Sequence, residues 1–328
     1  VGGRVVGYAY GQPPRSYLLV NDGRGRFSDQ TDVLAPELRR AGMLTDATWA
    51  DTDRDGDLDL MVVGEWMEPK LFVNEKGRLN NAKLETGNSK LNGLWHAMAA
   101  ADFDRDGDVD FVLGNLGLNT KLRKSGEQSA LRMVVGDFDN SGSTEQIVSY
   151  KLGSKWYPMA SKDELGKQLP GIINKKFTDY KLFAGKTTEQ VFSKGELDKG
   201  LKLEVNQFVS VFLENKGNNQ FATRELPTEA QWSRVMALLP TDADGDGNLD
   251  LLVGGNFYPV SPYQGRYDAS HGLLLRGDGK GGLTPMTFAQ SGFLLEGEVR
   301  DLKTARGPKG PLVLVGRNNQ PMQVFGRK

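Results

Sequence analysis

An all-β fold built from repeated four-stranded units is what this sequence predicts, on three observations. An acidic nonapeptide recurs four times with one internal spacing, each copy runs into a short apolar segment, and a second recurring piece reads strand, Gly-rich hairpin, strand. The three pieces alternate along the chain, so one supersecondary unit is being repeated.

The nonapeptides begin at Asp51, Asp102, Asp137 and Asp242. The first carries Asp51, Asp53, Asp55, Asp57 and Asp59, and the second Asp102, Asp104, Asp106, Asp108 and Asp110. The third carries Asp137, Asp139, Ser141, Ser143 and Glu145, and the fourth Asp242, Asp244, Asp246, Asn248 and Asp250. Oxygen-bearing side chains fall at positions 1, 3, 5, 7 and 9, with Gly at position 6. A hard cation takes several oxygens at about 2.3–2.6 Å, and a tight loop delivers alternate side chains inward while Gly permits the sharp turn. The pattern therefore predicts Ca2+ at three strong sites and at a weaker fourth, the loop at Asp137, where Ser141 and Glu145 replace Asp. Turn preference alone explains one Asp- and Gly-rich loop, but not four with the same spacing.

An EF-hand is excluded by position 12, where a bidentate Glu is needed and Val62, Leu113, Val148 and Val253 stand instead. Each loop leads directly into a short apolar run bounded by turns, which reads as a buried strand: 60–64, 111–114, 147–150 and 251–254. The hairpin pieces lie at 17–27, 71–77, 211–221 and 273–283. One unit is thus strand, cation loop, strand, variable loop, strand, hairpin, strand, which is one blade of a β-propeller.

These residues resemble the FG-GAP or VCBS repeats found in the propeller heads of integrin α-subunits and in many bacterial exported proteins. Val63-Gly64, Leu113-Gly114 and Val253-Gly254 stand where the literal Phe-Gly and Gly-Ala-Pro signatures would be, as in the bacterial variety. The run Tyr17-Leu-Leu-Val-Asn-Asp-Gly23 and the long insert also resemble propeller regions of ASPIC/UnbV-associated proteins. The resemblance implies calcium binding and recognition outside the cell or at its envelope.

Repeats are read around 1–44, 45–94, 95–130, 131–230, 231–292 and 293–328, giving about six blades as part of a seven-bladed ring. Their loops are unevenly spaced, at 51, 35 and 105 residues, so inserts are expected. Val1 to Gly7 matches the strand after a cation loop. The propeller domain 1–328 is therefore expected to be incomplete at its N-terminus, with further repeat upstream or supplied by another chain.

Within 153–202, Ser161-Lys-Asp-Glu164 and Thr187-Thr-Glu-Gln190 read as capping boxes, and Leu165, Leu169, Ile172 and Ile173 recur at helical spacing. A small helical insertion is expected there. The stretch 151–202 carries 11 Lys against 6 acidic residues, a charge that more often marks a solvated face than a partner site.

Composition narrows the function. With 41 basic against 42 acidic residues, the chain lacks the broad basic footprint of a nucleic-acid binder, so no nucleic-acid partner is expected. The absence of Cys excludes disulfides, thiolate metal sites and a cysteine nucleophile. His96 and His271, far apart in sequence, read as ordinary loop or strand residues. No apolar run reaches the roughly 20 residues of a membrane-spanning helix. Neither a Gly-x-Ser-x-Gly nucleophile nor an acid and base pair stands out, so the chain reads as non-catalytic.

The expected role is recognition of a protein or glycan by an exported protein, at the cell surface, at the outer membrane or outside the cell. The rivals are a subunit of an outer-membrane complex and a calcium-dependent polysaccharide lyase or hydrolase. A base of low pKa clustered on the variable-loop face would favour the enzyme. The variable loops should share the face opposite the cation loops, and aromatic residues commonly anchor such contacts. Tyr8, Tyr10, Trp66, Trp156, Tyr258, Tyr263 and Tyr267 are the candidates, with loop packing as the alternative use of each ring.

Overall fold

The computed structural model describes residues 1–87, 89–120, 122, 130–260, 265–308 and 310–326. Val1 to Gly7 forms no strand; its backbone is tied instead by Tyr17 N to Val1 O and by Leu44 N to Gly3 O, each at 2.9 Å. The first hairpin pairs β1 (Leu19–Asn21) with β2 (Phe27–Asp29). The next sheet is antiparallel and consecutive, β3 (Met43–Ala50), β4 (Asp59–Met67), β5 (Lys70–Glu75) and β6 (Arg78–Ala82), with β7 (Gly93–Leu94) paired to the end of β4.

A second sheet starts with β8 (Ala97–Ala101) and β9 (Asp110–Gly114), and the chain then leaves it. It builds a separate sheet from β10 (Leu131–Gly136), β11 (Glu145–Leu152), β12 (Lys155–Pro158) and β13 (Leu201–Val205), in the order β12-β11-β10-β13. Only afterwards do β14 (Val211–Asn215) and β15 (Phe221–Glu225) return, with Val211 paired to Leu113 and Leu213 to Phe111. Residues 95–130 and 131–230 are therefore not successive blades. One sheet takes two strands from each, and the loop at Asp137 belongs to a sheet nested between its second and third strands. The local pattern at 131–152 copies a blade start, and only the long-range pairing reveals where the third strand lies.

The last two sheets are β16 (Val235–Thr241), β17 (Asp250–Gly255), β18 (Leu273–Gly277) and β19 (Leu283–Met286), then β20 (Val299–Gly307), β21 (Gly310–Arg317) and β22 (Gln323–Gly326). The fold is all-β and propeller-like. The first strands run side by side, β3 against β8, β8 against β16 and β16 against β20.

Strand alternation explains the stacking, because successive side chains leave opposite faces of a sheet. Met61 and Val63 join Phe111, Leu113, Val211 and Leu213 in one core, while Leu60 and Val62 face the other way toward Leu38 and Leu44. Val112 turns its back on Phe111 and packs with Leu251 and Val253, and Leu252 in turn packs with Leu302 and Val315. Each middle strand is thus apolar on both faces, which is why the runs after the acidic loops look continuous.

The Gly that closes two of these runs is required by the next sheet. A Cβ on Gly114 would come 2.5 Å from Val235 Cγ1, and one on Gly254 would come 2.5 Å from Val299 Cγ1. The glycines admit the first residue of the neighbouring inner strand.

Between β12 and β13 lie five short helices, at Lys162–Gln168, Pro170–Lys176, Tyr180–Phe183, Thr188–Val191 and Lys194–Leu197. Capping boxes open three of them, Ser161 with Glu164, Thr187 with Gln190 and Ser193 with Glu196. Leu165, Leu169, Ile173, Phe177 and Phe192 bury against Val134 and Ile147 of the nested sheet. Among the described residues no helix is long and apolar enough to cross a membrane.

Candidate metal centres and the opposite face

The four acidic loops share one hydrogen-bonded frame. Position 1 accepts from the Gly amide at position 6, Asp51 from Gly56 at 3.1 Å, Asp102 from Gly107 at 3.1 Å, Asp137 from Gly142 at 2.9 Å and Asp242 from Gly247 at 3.2 Å. Position 3 accepts from the amide at position 5 in every copy, and position 5 from the amide at position 7. Positions 4 and 6 are left-handed, with φ of 64° at Arg54 and 63° at Arg105 against 90° and 91° at Gly56 and Gly107. This winding brings the side chains at positions 1 and 3 of every loop together, with position 5 in the first and fourth loops and position 9 in the second and third.

The centre suits a cation. Ligand oxygens of Asp51, Asp53 and Asp55 lie within 4.8 Å of one another, as do those of Asp102, Asp104 and Asp110, of Asp137, Asp139 and Glu145, and of Asp242, Asp244 and Asp246. Asp51 Oδ1 and Asp102 Oδ1 are buried without a hydrogen-bond partner among the described residues. A buried carboxylate oxygen left unpaired is costly, and a bound cation removes that cost. Burial, with the neighbouring carboxylates, raises the pKa of Asp53, Asp104 and Glu145, and brings Asp110 up to about 7. The residues present therefore fit calcium: Asp51, Asp53 and Asp55 would hold it in the first loop, and Asp102, Asp104 and Asp110 in the second.

Position 9 has a second duty. Asp59 is buried, accepting from Thr52 N at 3.0 Å and Asn74 N at 2.8 Å. Asp110 accepts from Phe103 N at 3.2 Å and Asn215 N at 2.9 Å, and Asp250 from Ala243 N and Gly277 N, each at 2.9 Å. Each of these carboxylates ties its loop to the start of the third-to-fourth-strand hairpin, so loop and hairpin share one end of the sheet. Asp59, Asp106 and Asp250 are outside the close acidic groups, as are the position-7 residues Asp57 and Asp108.

Arginines link neighbouring loops. Arg54 pairs with Asp108 and donates to Asp106 O at 2.7 Å, and Arg105 donates to Gly247 O. In the fourth loop Arg276 lies 2.7 Å from Asp244 and 3.0 Å from Asp246, and it contributes, after the Asn248 amide, to holding Asp246 below the usual carboxylate range. In that loop the guanidinium holds two of the three clustered carboxylates, so a cation there competes with it.

The first two loops and the strands between them form one continuous stretch of sequence, and a family comparison reads it the same way. Residues 51–113 match the family model of the FG-GAP-like repeat. No curated protein matches the chain. The FG-GAP-like segment holds both loops with an orphaned buried oxygen, the whole of β3's partner strand β4, and β9 up to Leu113. Acidic clusters that can take a metal ion and an FG-GAP-like repeat thus coincide.

At the other end of the sheets the aromatic candidates divide. Tyr8 stands fully exposed, and Tyr258 is half-buried under Arg266, whose guanidinium lies 3.9 Å from the ring centre. Trp66, Trp156 and Tyr267 are buried, so these three rings pack rather than stand out as free contacts. Trp156 lies under Arg132 on the nested sheet, and Tyr267 bonds Thr120 at 3.0 Å. Tyr263 lies outside the described residues.

Tyr10 belongs to a polar cluster that sequence reasoning missed. Glu65 accepts from Tyr10 Oη at 3.0 Å and from Arg4 at 3.1 Å, and Trp66 Nε1 donates to Tyr10 Oη at 3.0 Å. His96 Nδ1 is 3.7 Å from Glu65. His96 is no ordinary loop residue: burial first, then Arg234, Arg4 and Arg300, drive its pKa well below the usual value, so the ring is neutral. The available signal was position, since His96, Arg234 and Glu298 each immediately precede a first strand, β8, β16 and β20.

Proposed function

We propose that this protein is a calcium-stabilised recognition module, exported from its cell, that binds a protein or glycan at the cell envelope or outside without catalysis. The observation that carries the reading is the pair of buried carboxylate oxygens on Asp51 and Asp102, without a hydrogen-bond partner among the described residues, in loops that brace their sheets. Extracellular modules hold calcium with Kd of about 10⁻⁴–10⁻³ M, matched to compartments rich in the ion. Cation-locked loops leave the opposite face, with Tyr8 and Tyr258, as the side for recognition. An outer-membrane partner is one such occupant. The test is retention of envelope proteins and glycans by the immobilised chain with calcium and with chelator. Calcium-dependent retention that Tyr8→Ala and Tyr258→Ala reduce supports the reading, and retention indifferent to both overturns it.

A second reading, a polysaccharide-cleaving enzyme, is favoured by one observation: a neutral His96 beside Tyr10 and Glu65 at that face. Release of reducing ends from acidic polysaccharides, lost in His96→Gln, would establish it, and no release at any pH would remove it.

A further inference from the structure

The cluster beyond Glu65 carries more cationic charge than it neutralises. Arg4 is paired with Glu65 at 3.1 Å and Arg300 with Glu298 at 2.6 Å. Arg234 makes no ion pair among the described residues, and its buried Nε has no hydrogen-bond partner among them. Its guanidinium lies against Phe257, 4.4 Å from the ring centre. The Glu65 carboxylate, too distant for an ion pair, offsets only part of the cost of desolvating this partly buried guanidinium, and an oxyanion bound directly to it would offset the rest.

His96 supplies the second requirement. Its side chain is 2% exposed, and Nε2 has no partner among the described residues. Nδ1 lies 3.7 Å from the Glu65 carboxylate, so a proton placed on that side of the neutral ring leaves the Nε2 lone pair to accept. A neutral acceptor of this kind takes a hydroxyl rather than a second anion.

We infer that Arg234 and His96 form a binding site for a hydroxylated carboxylate of the uronic-acid kind, with the carboxylate on Arg234 and a hydroxyl donating to His96 Nε2. The guanidinium fork matches a planar carboxylate better than a tetrahedral phosphate held at one point. The Phe257 ring packs against that guanidinium. The site lies where three sheets begin their first strands, on the face opposite the acidic loops. This deepens the recognition reading and rests on that face being the binding side.

The experiment is calorimetric titration of the calcium-loaded chain with D-glucuronate, an oligoglucuronate, glucose and inorganic phosphate. Glucuronate should bind, glucose should give no measurable heat, and phosphate should bind about tenfold more weakly or less. Tighter binding of the oligomer identifies a polysaccharide source, and equal binding a free sugar acid. Arg234→Met should weaken glucuronate about tenfold or more. Should that variant fold poorly, Arg234→Lys keeps the charge but loses the fork and should still weaken binding severalfold. His96→Phe should erase the preference for glucuronate over cyclohexanecarboxylate. Absent heat with both glucuronate forms, equal binding of glucose, or binding unchanged in a folded Arg234 variant overturns the inference. Calcium-dependent retention of other envelope material in that case leaves the recognition reading standing alone.

Discussion

The Asn215 amide donates to Asp110 Oδ1 at 2.9 Å across 105 residues of chain. Asn215 also spends its side chain there, donating to Thr52 O at 2.9 Å and to Val109 O at 3.3 Å. One buried asparagine therefore joins the hairpin of one sheet to its own acidic loop and to that of the sheet before it.

Replacing Asn215 with Ala takes a side-chain donor from the buried Thr52 carbonyl and the partly buried Val109 carbonyl, and a buried group left unsatisfied costs about 1–3 kcal/mol. Chemical denaturation should show that loss, and the apparent calcium affinity should fall with it because the loops lose their common brace. A variant as stable as the parent would show that the strap is idle.

Gly114→Ala and Gly254→Ala press a methyl group onto Val235 and Val299, which are β-branched and cannot rotate away. Overpacking of this size costs about 1–3 kcal/mol, read as a lower midpoint of denaturation. Pairing Gly254→Ala with Val299→Ala should recover part of the loss, since the clash is with that side chain.

Asp51→Asn and Asp102→Asn keep the shape of the loop and remove a charged ligand. Each should weaken calcium binding about tenfold or more while changing the stability of the chelated protein little or favourably, because the uncompensated charge is gone. Titration calorimetry and thermal melts with chelator read the two effects separately.

Proton competition supplies a further test. Burial and the charges of Asp104 and Asp106 push Asp110 up to about 7, so its proton must leave before a cation enters. Calcium affinity at the 102–110 loop should fall as pH drops from about 8 to about 6, by up to tenfold per unit below the pKa. Without calcium the sign reverses: a raised carboxylate pKa destabilises the fold above that value, and acidification through it relieves the penalty. Asp110→Asn should flatten both dependences.

The acidic loops were legible because cation chemistry demands particular residue types at fixed spacing, and Asp51 to Asp59 declare both. Their dual use was not legible. Nothing in the letters separates Asp55, which faces the centre, from Asp59, which is spent on the Thr52 and Asn74 amides. The nested sheet was hidden because 131–152 copies the local pattern of a blade, while the pairing of Val211 with Leu113 is set by packing between distant segments. Arg4, Glu65, His96 and Arg234 share no motif; the closing order of the strands brings them together.

Thermal unfolding of the full chain in excess calcium and in excess chelator, with the bound metal counted in the same sample, tests the central claim most directly. The account predicts bound calcium and a melting temperature higher by several degrees with the ion, because binding to the folded state alone stabilises it. Identical melts and no calcium above background would contradict it.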